Sequence, residues 1–131
     1  MNVEQLRLDL ERDEGCVYAI YLDHLNLPTF GIGHLVKEAD PEHGQPVATK
    51  VSKDRVMQVF NSDIESVIDD CTRSFSDFEA LPEAVQLVVG NMMFNLGLPK
   101  FSRFKKMIRA MELGDWQSAA DEMIDSKWYQ Q

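Results

Sequence analysis

Three residues close together in this chain have the types that could do chemistry: Glu14, Asp23 and Thr29. Two carboxylates facing a gap can divide acid and base work. One gives a proton to a leaving oxygen while the other draws a proton from water. With a hydroxyl beside one of them, this is the equipment for hydrolysing a glycosidic bond. To donate at neutral pH, Glu14 needs a raised pKa, which a partly buried cleft provides. Taken singly the three are ordinary: a glutamate at a helix end, an aspartate in a turn, a threonine in a strand.

The elements that must position them are legible from spacing. Val3, Leu6 and Leu10 recur at helical intervals, so residues 2–13 are expected to form an amphipathic helix that Gly15 ends. Val17, Ala19 and Tyr21 then alternate with Tyr18, Ile20 and Leu22, the period of a strand. Asp23, His24 and Asn26 supply turn chemistry, and Pro28 opens a returning strand, giving a hairpin over 16–36. A helix end and a tight hairpin can bring Glu14, Asp23 and Thr29 to one short edge. Gly31 and Gly33 alternate with Phe30, Ile32 and His34. They either leave a strand face open for a sugar ring or simply permit twist. Residues 37–50 are expected to be loop or irregular strand.

Ser52, with Asp54 after it, is an N-cap for the longest helix, 52–73. Its stripe runs through Val56, Val59, Phe60, Ile64, Val67, Ile68 and Cys71. Residues 74–80 form a linker. Pro82 suits the first turn of a helix to Leu96, capped by Gly97 and apolar nearly all round, hence the expected buried centre of its lobe. Further helices are expected over Phe101–Leu113, ended by Gly114, and over 116–125, capped by Asp115, with a short turn at 126–129. The expected fold class is α+β in one domain, 1–131. Residues 14–51 form a small sheet-containing lobe, 52–73 a connecting helix, and 74–131 with 1–13 a helical lobe.

Composition narrows the function. A length of 131 residues suits one domain, with 44% hydrophobic and 27% charged residues. A net charge of −9 argues against a general nucleic-acid binder. It also sets up repulsion from any anionic polymer that salt would relieve. Lys100, Arg103, Lys105, Lys106 and Arg109 run against the trend, as a solvated helix face or as a patch for an anionic wall or membrane surface. Cys16 and Cys71 are expected to be free and buried, a single bridge being the alternative. The histidines and cysteines lack ligand spacing, so neither metal nor cofactor is expected. No stretch approaches the ~20 apolar residues of a membrane span, and residues 1–15 contain no secretory leader pattern.

Beyond these physical readings, several motifs occur in colinear order. They are Asp13-Glu14-Gly15, Asp23, Pro28-Thr29-Phe30-Gly31-Ile32-Gly33-His34, Ser52-Lys53-Asp54, Phe60-Asn61, Asn91 to Gly97, and Trp128-Tyr129-Gln130-Gln131. The set resembles the phage-type lysozymes, glycoside hydrolase family 24, over nearly the whole chain. The resemblance implies a two-lobe lysozyme fold. It implies hydrolysis of the β-1,4 bond between N-acetylmuramic acid and N-acetylglucosamine in peptidoglycan. Glu14 would be the general acid and Asp23 the base. The Thr29 hydroxyl would hold the attacking water with Asp23. It also implies inversion, which needs carboxyl groups ~6.5–9.5 Å apart.

Asn95 aligns with a polar position suited to an N-acetyl group. Leu35, Phe94 and Phe104 are candidates for the substrate cleft, with plain core packing as the alternative. The family pattern also pairs His34 with Asp63. The implied partner is bacterial peptidoglycan, met by a monomeric phage endolysin or tail-associated lysozyme. It would reach the wall from the host cytoplasm with help such as a holin, or ride on the phage particle. Family members continue past the Trp128–Gln131 block with an arginine-bearing tail packed on the first helix. A chain without it is expected to fold, to be less stable, and to keep its pH optimum or shift it upward. The rival reading is a lysozyme-fold binding or assembly module without catalysis. The intact Glu14, Asp23, Thr29 set favours the enzyme.

Overall fold

The computed structural model describes residues 1–124. The turn expected at 126–129, and the Trp128–Gln131 block with it, lie outside the described residues. The fold is α+β and lysozyme-like, with a small antiparallel sheet in the first half of the chain and helices after it. The chain forms two compact units, residues 7–65 and residues 1–6 together with 66–131.

Helix α1 spans Val3–Glu14. Asn2 caps it, its Oδ1 accepting the Gln5 amide at 3.1 Å. Gly15 ends it at φ 70°, donating to the Glu11 carbonyl at 3.0 Å. Leu6 and Leu10 are completely buried, as their spacing requires.

In the unit of residues 7–65, strands β1 (Val17–Leu22), β2 (Pro28–Gly31) and β3 (His34–Leu35) form one antiparallel sheet in that order. Tyr21 pairs with Thr29 and Thr29 with Leu35, so these three make one row on one sheet face. Phe30 pairs with His34 on the other face, and both are buried. Gly31 has φ 64°, and a Cβ there would meet Val56 Cγ1 at 3.0 Å. Gly31→Ala is therefore expected to cost about 1–3 kcal/mol, from left-handed backbone strain and overpacking together, read as a lower urea midpoint at unchanged m.

Residues 37–50 are more ordered than a bare loop. Thr49 and Val51 bond the free edge of β1: the Ile20 amide donates to the Thr49 carbonyl at 2.9 Å, and the Val51 amide to the Tyr18 carbonyl at 3.0 Å. A charged cluster pins the rest. His34 Nδ1 meets Asp63 at 2.7 Å, the pairing the family pattern implied. His34 Nε2 also meets Asp40 at 2.8 Å. Arg55 grips Glu42 with two hydrogen bonds, 2.9 and 3.0 Å, and reaches Asp40 at 3.4 Å. A neutral imidazole has one N–H, whereas both ring nitrogens here face carboxylates, so the geometry calls for the imidazolium. Burial opposes that charge. The hydrogen bonds to Asp63 and Asp40 outweigh it and hold the His34 pKa above its usual value. Burial likewise resists the Asp40 charge, and the Lys37 amide, His34 and Arg55 together pull its pKa below the usual range. The Arg55 guanidinium does the same for Glu42, against burial.

Helix α2, Lys53–Ser74, begins in this unit and ends in the other. Ser52 caps it, accepting the Arg55 amide at 3.1 Å.

In the unit of residues 1–6 and 66–131, the linker after α2 contains a short 3-10 turn at Phe78–Ala80. Phe75 packs on Phe78 and on Phe101, ring centroids 5.8 and 6.3 Å apart. Helix α3 runs Glu83–Leu96, with Pro82 at the cap rather than inside the first turn. It is less enclosed than its composition suggests: Val89, Met92 and Met93 are buried, but Val88 is 39% exposed. The helix expected over Phe101–Leu113 is two helices, α4 (Leu98–Phe101) and α5 (Lys105–Glu112). Phe104 at the join takes φ −83°, ψ 53°, which no α-helix continues through. Helix α6 spans Trp116–Ile124, with Asp115 accepting the Ser118 amide at 3.2 Å.

Cys71 is buried as expected, which pushes its thiol pKa up to about 12. Cys16 is free but only half-buried, a correction to the expectation for that residue.

Candidate active site

Glu14 is the last residue of α1, half-buried, placed where Gly15 turns the chain into β1. Asp23 follows directly on β1 and is half-buried too. Its Oδ1 accepts two backbone amides, Leu25 at 2.8 Å and Leu27 at 2.9 Å. Its own amide donates to the Leu27 carbonyl at 3.0 Å, and Asn26 closes the turn at φ 61°. One Asp23 oxygen thus builds the hairpin turn, the role expected of a turn aspartate. Thr29 lies in β2, 4% exposed, and its hydroxyl donates to the Leu27 carbonyl at 2.9 Å. With its proton committed there, the Thr29 oxygen can act toward a water only as an acceptor.

Tyr21 is the residue that sequence reasoning missed. It stands opposite Thr29 in the sheet. Its pKa is raised by burial first, then by the charge of Glu14, then by that of Asp23. One phenol therefore lies in the field of both carboxylates, so Glu14 and Asp23 share a neighbourhood with Thr29 beside it. The signal was present in the strand alternation, which puts Tyr21 one pleat before Asp23. Leu35, 45% exposed, extends the same row on the far side of Thr29.

Comparison with known proteins bears on what such a group does. A family model described as phage lysozyme matches residues 11–131. The chain belongs to the phage lysozyme family.

Phage lysozyme relatives vary in size. The pre-baseplate central spike protein of Enterobacteria phage T4 is 28% identical, over 93% of this chain but only 24% of its own length. Probable T4-type lysozyme 2 of Dictyostelium discoideum is 27% identical over 96% of this chain and 85% of its own length. Probable T4-type lysozyme 1 of the same organism is 24% identical over 98% and 87%. The chain thus spans about a quarter of the spike protein and most of each Dictyostelium lysozyme.

The other phage lysozyme candidates belong to the second unit. Asn95 is exposed on the last turn of α3, and its amide nitrogen donates to the Asn91 carbonyl at 3.0 Å and to Asn91 Oδ1 at 3.1 Å. Its carbonyl oxygen is the group left to meet a ligand donor. Phe94 is half-buried on α3, and Phe104 half-buried at the α4–α5 join. Leu35 falls in the unit of residues 7–65, with Glu14, Asp23 and Thr29.

Proposed function

We propose that this chain is a peptidoglycan-degrading glycosidase that cleaves the β-1,4 bond between N-acetylmuramic acid and N-acetylglucosamine. The observation that carries the reading is the shared neighbourhood of Glu14 and Asp23 around Tyr21, on a chain of the phage lysozyme family. Glu14 donates a proton to the glycosidic oxygen as the bond breaks. A water donates one hydrogen bond to Asp23, which takes that proton as the water oxygen attacks, and a second hydrogen bond to the Thr29 oxygen. The water's lone pair is then free to attack the anomeric carbon from the face opposite the leaving group, and the centre inverts. Leu35 supplies apolar contact to a sugar ring. In the helical unit, Asn95 is the group proposed to accept from an N-acetyl N–H, and Phe94 and Phe104 are proposed as apolar substrate contacts. Likeness to a baseplate spike component supports carriage on a phage particle.

The test is release of reducing ends from purified sacculi by the chain and by Asp23→Asn. The asparagine keeps a carbonyl oxygen for the Leu25 and Leu27 amides, so the hairpin survives while the base is lost. Expected is an unchanged melting curve with cleavage down about 10²-fold or more. An Asp23→Asn variant that cleaves like its parent removes Asp23 from the role.

A further inference from the structure

A peptidoglycan hydrolase of net charge −9 approaches a carboxylate-bearing polymer against like-charge repulsion. One surface breaks the acidic pattern. Lys100, Arg103, Lys105, Lys106 and Arg109 fall within ten residues and make up five of the thirteen Lys and Arg. No Asp or Glu occurs between Glu83 and Glu112. All five cations are exposed, and none pairs with a carboxylate among the described residues.

Their placement works against the fold. Lys105 and Lys106 occupy the first turn of α5, the positive end of its dipole, and no acidic residue stands in that turn. Among the described residues no carboxylate pairs with the cluster, and a polymer bearing carboxylates is its charge complement. A lipid surface fits poorly. A helix lying on a membrane needs an exposed apolar face. On α5 the apolar residues Met107, Ala110 and Met111 are buried and Ile108 is half-buried, so the helix has no exposed apolar face.

We infer that the exposed α4–α5 surface is a docking face for the carboxylates of the wall polymer, holding the chain on peptidoglycan independently of cleavage. The inference rests on the proposed substrate. It adds an attachment surface outside the Glu14–Asp23–Thr29 group.

The experiment measures co-sedimentation of the Glu14→Gln chain with purified sacculi over a sodium chloride series, so that no turnover is needed. One variant carries Lys100→Gln, Arg103→Gln, Lys105→Gln, Lys106→Gln and Arg109→Gln. A control carries Lys37→Gln, Lys50→Gln and Lys53→Gln. A milder variant, Lys105→Gln with Lys106→Gln, removes charge only where the helix dipole opposes it and keeps the test readable if the fivefold variant does not fold. The patch variant should lose about tenfold or more in affinity at low salt and most of its salt dependence, the milder one part of both, the control neither. Equal losses in patch and control variants, or no loss in either patch variant, overturn the inference. So does patch-dependent binding to phosphatidylglycerol vesicles without binding to sacculi. If the parent chain releases no reducing ends yet patch-dependent binding stands, the proposed function fails alone. If it cleaves and binds without the patch, the docking face fails alone.

Discussion

Glu14→Gln is expected to fold like the parent chain and to release reducing ends from sacculi about 10²-fold more slowly or worse. Glutamine keeps the shape of the side chain and removes the ionisable carboxyl, with its transferable proton and its charge. Stability should hold or rise. Glu14 is the final residue of α1, where a negative charge faces the negative end of the helix dipole. Two readings check this together: thermal melting and initial rate. A Gln variant at parental rate sinks the assignment of Glu14 as the acid. A variant that has lost both rate and fold shows instead that Glu14 holds the helix end in place.

The second large effect belongs to His34. Replacing it with glutamine leaves Asp40 and Asp63 facing a neutral group in a site only partly open to water. Removing one partner from such a buried charge group costs about 3–5 kcal/mol. The loss should depend on pH in a definite direction. The His34 pKa is raised on folding, so its contribution is complete below the ordinary value of 6.5 and is lost as pH rises through the folded value. Asp40 and Glu42 are lowered, so theirs are complete above the ordinary 3.8 and 4.5 and are lost as pH falls through the folded values. The difference between parent and His34→Gln should therefore be greatest between the carboxylate and histidine ranges and shrink on the alkaline side. Urea unfolding at several pH values and an NMR titration of the ring test it. A His34 pKa at or below 6.5, or a gap that does not vary with pH, contradicts the assignment.

Much of this was legible in the sequence, and for specific reasons. The ends of α1 and the start of α2 are written in short-range chemistry: Gly15 past the last helical residue, Ser52 before the first. The hairpin is written in the alternation of 17–22 and in the asparagine that tolerates a positive φ. The break between α4 and α5 was hidden because Phe101, Phe104, Met107 and Met111 keep helical spacing straight through it. A pattern of side chains says nothing about a backbone that changes direction while the same face stays inward. The hold on Asp40 and Glu42 was invisible for another reason. Arg55 lies 13 residues from Glu42 and 15 from Asp40, and no periodicity links a loop carboxylate to a helix guanidinium. In the candidate site, the carboxylates were nominated through their types and spacing. Tyr21 was passed over because a strand tyrosine has a sufficient explanation as packing until its charged neighbours are known.

The division of the chain carries a consequence for its synthesis. Residues 7–65 are contiguous, so everything that unit needs emerges in one run. The other unit needs residues 1–6, which precede that run, and residues from 66 onward, which follow it. Leu6 is completely buried, and its Cδ1 lies 3.0 Å from where a side chain on Gly90 would begin. The terminal amine is tied to Glu79 at 2.9 Å. Until α3 has been translated, the first turns of α1 have no place to bury that leucine. Joining residues 1–6 to α3 is therefore a long loop closure in sequence, of the kind that slows folding. A purification tag or leader fused ahead of Met1 would act at this closure, so such fusions should affect the yield of folded protein more than extensions in the exposed 43–48 segment.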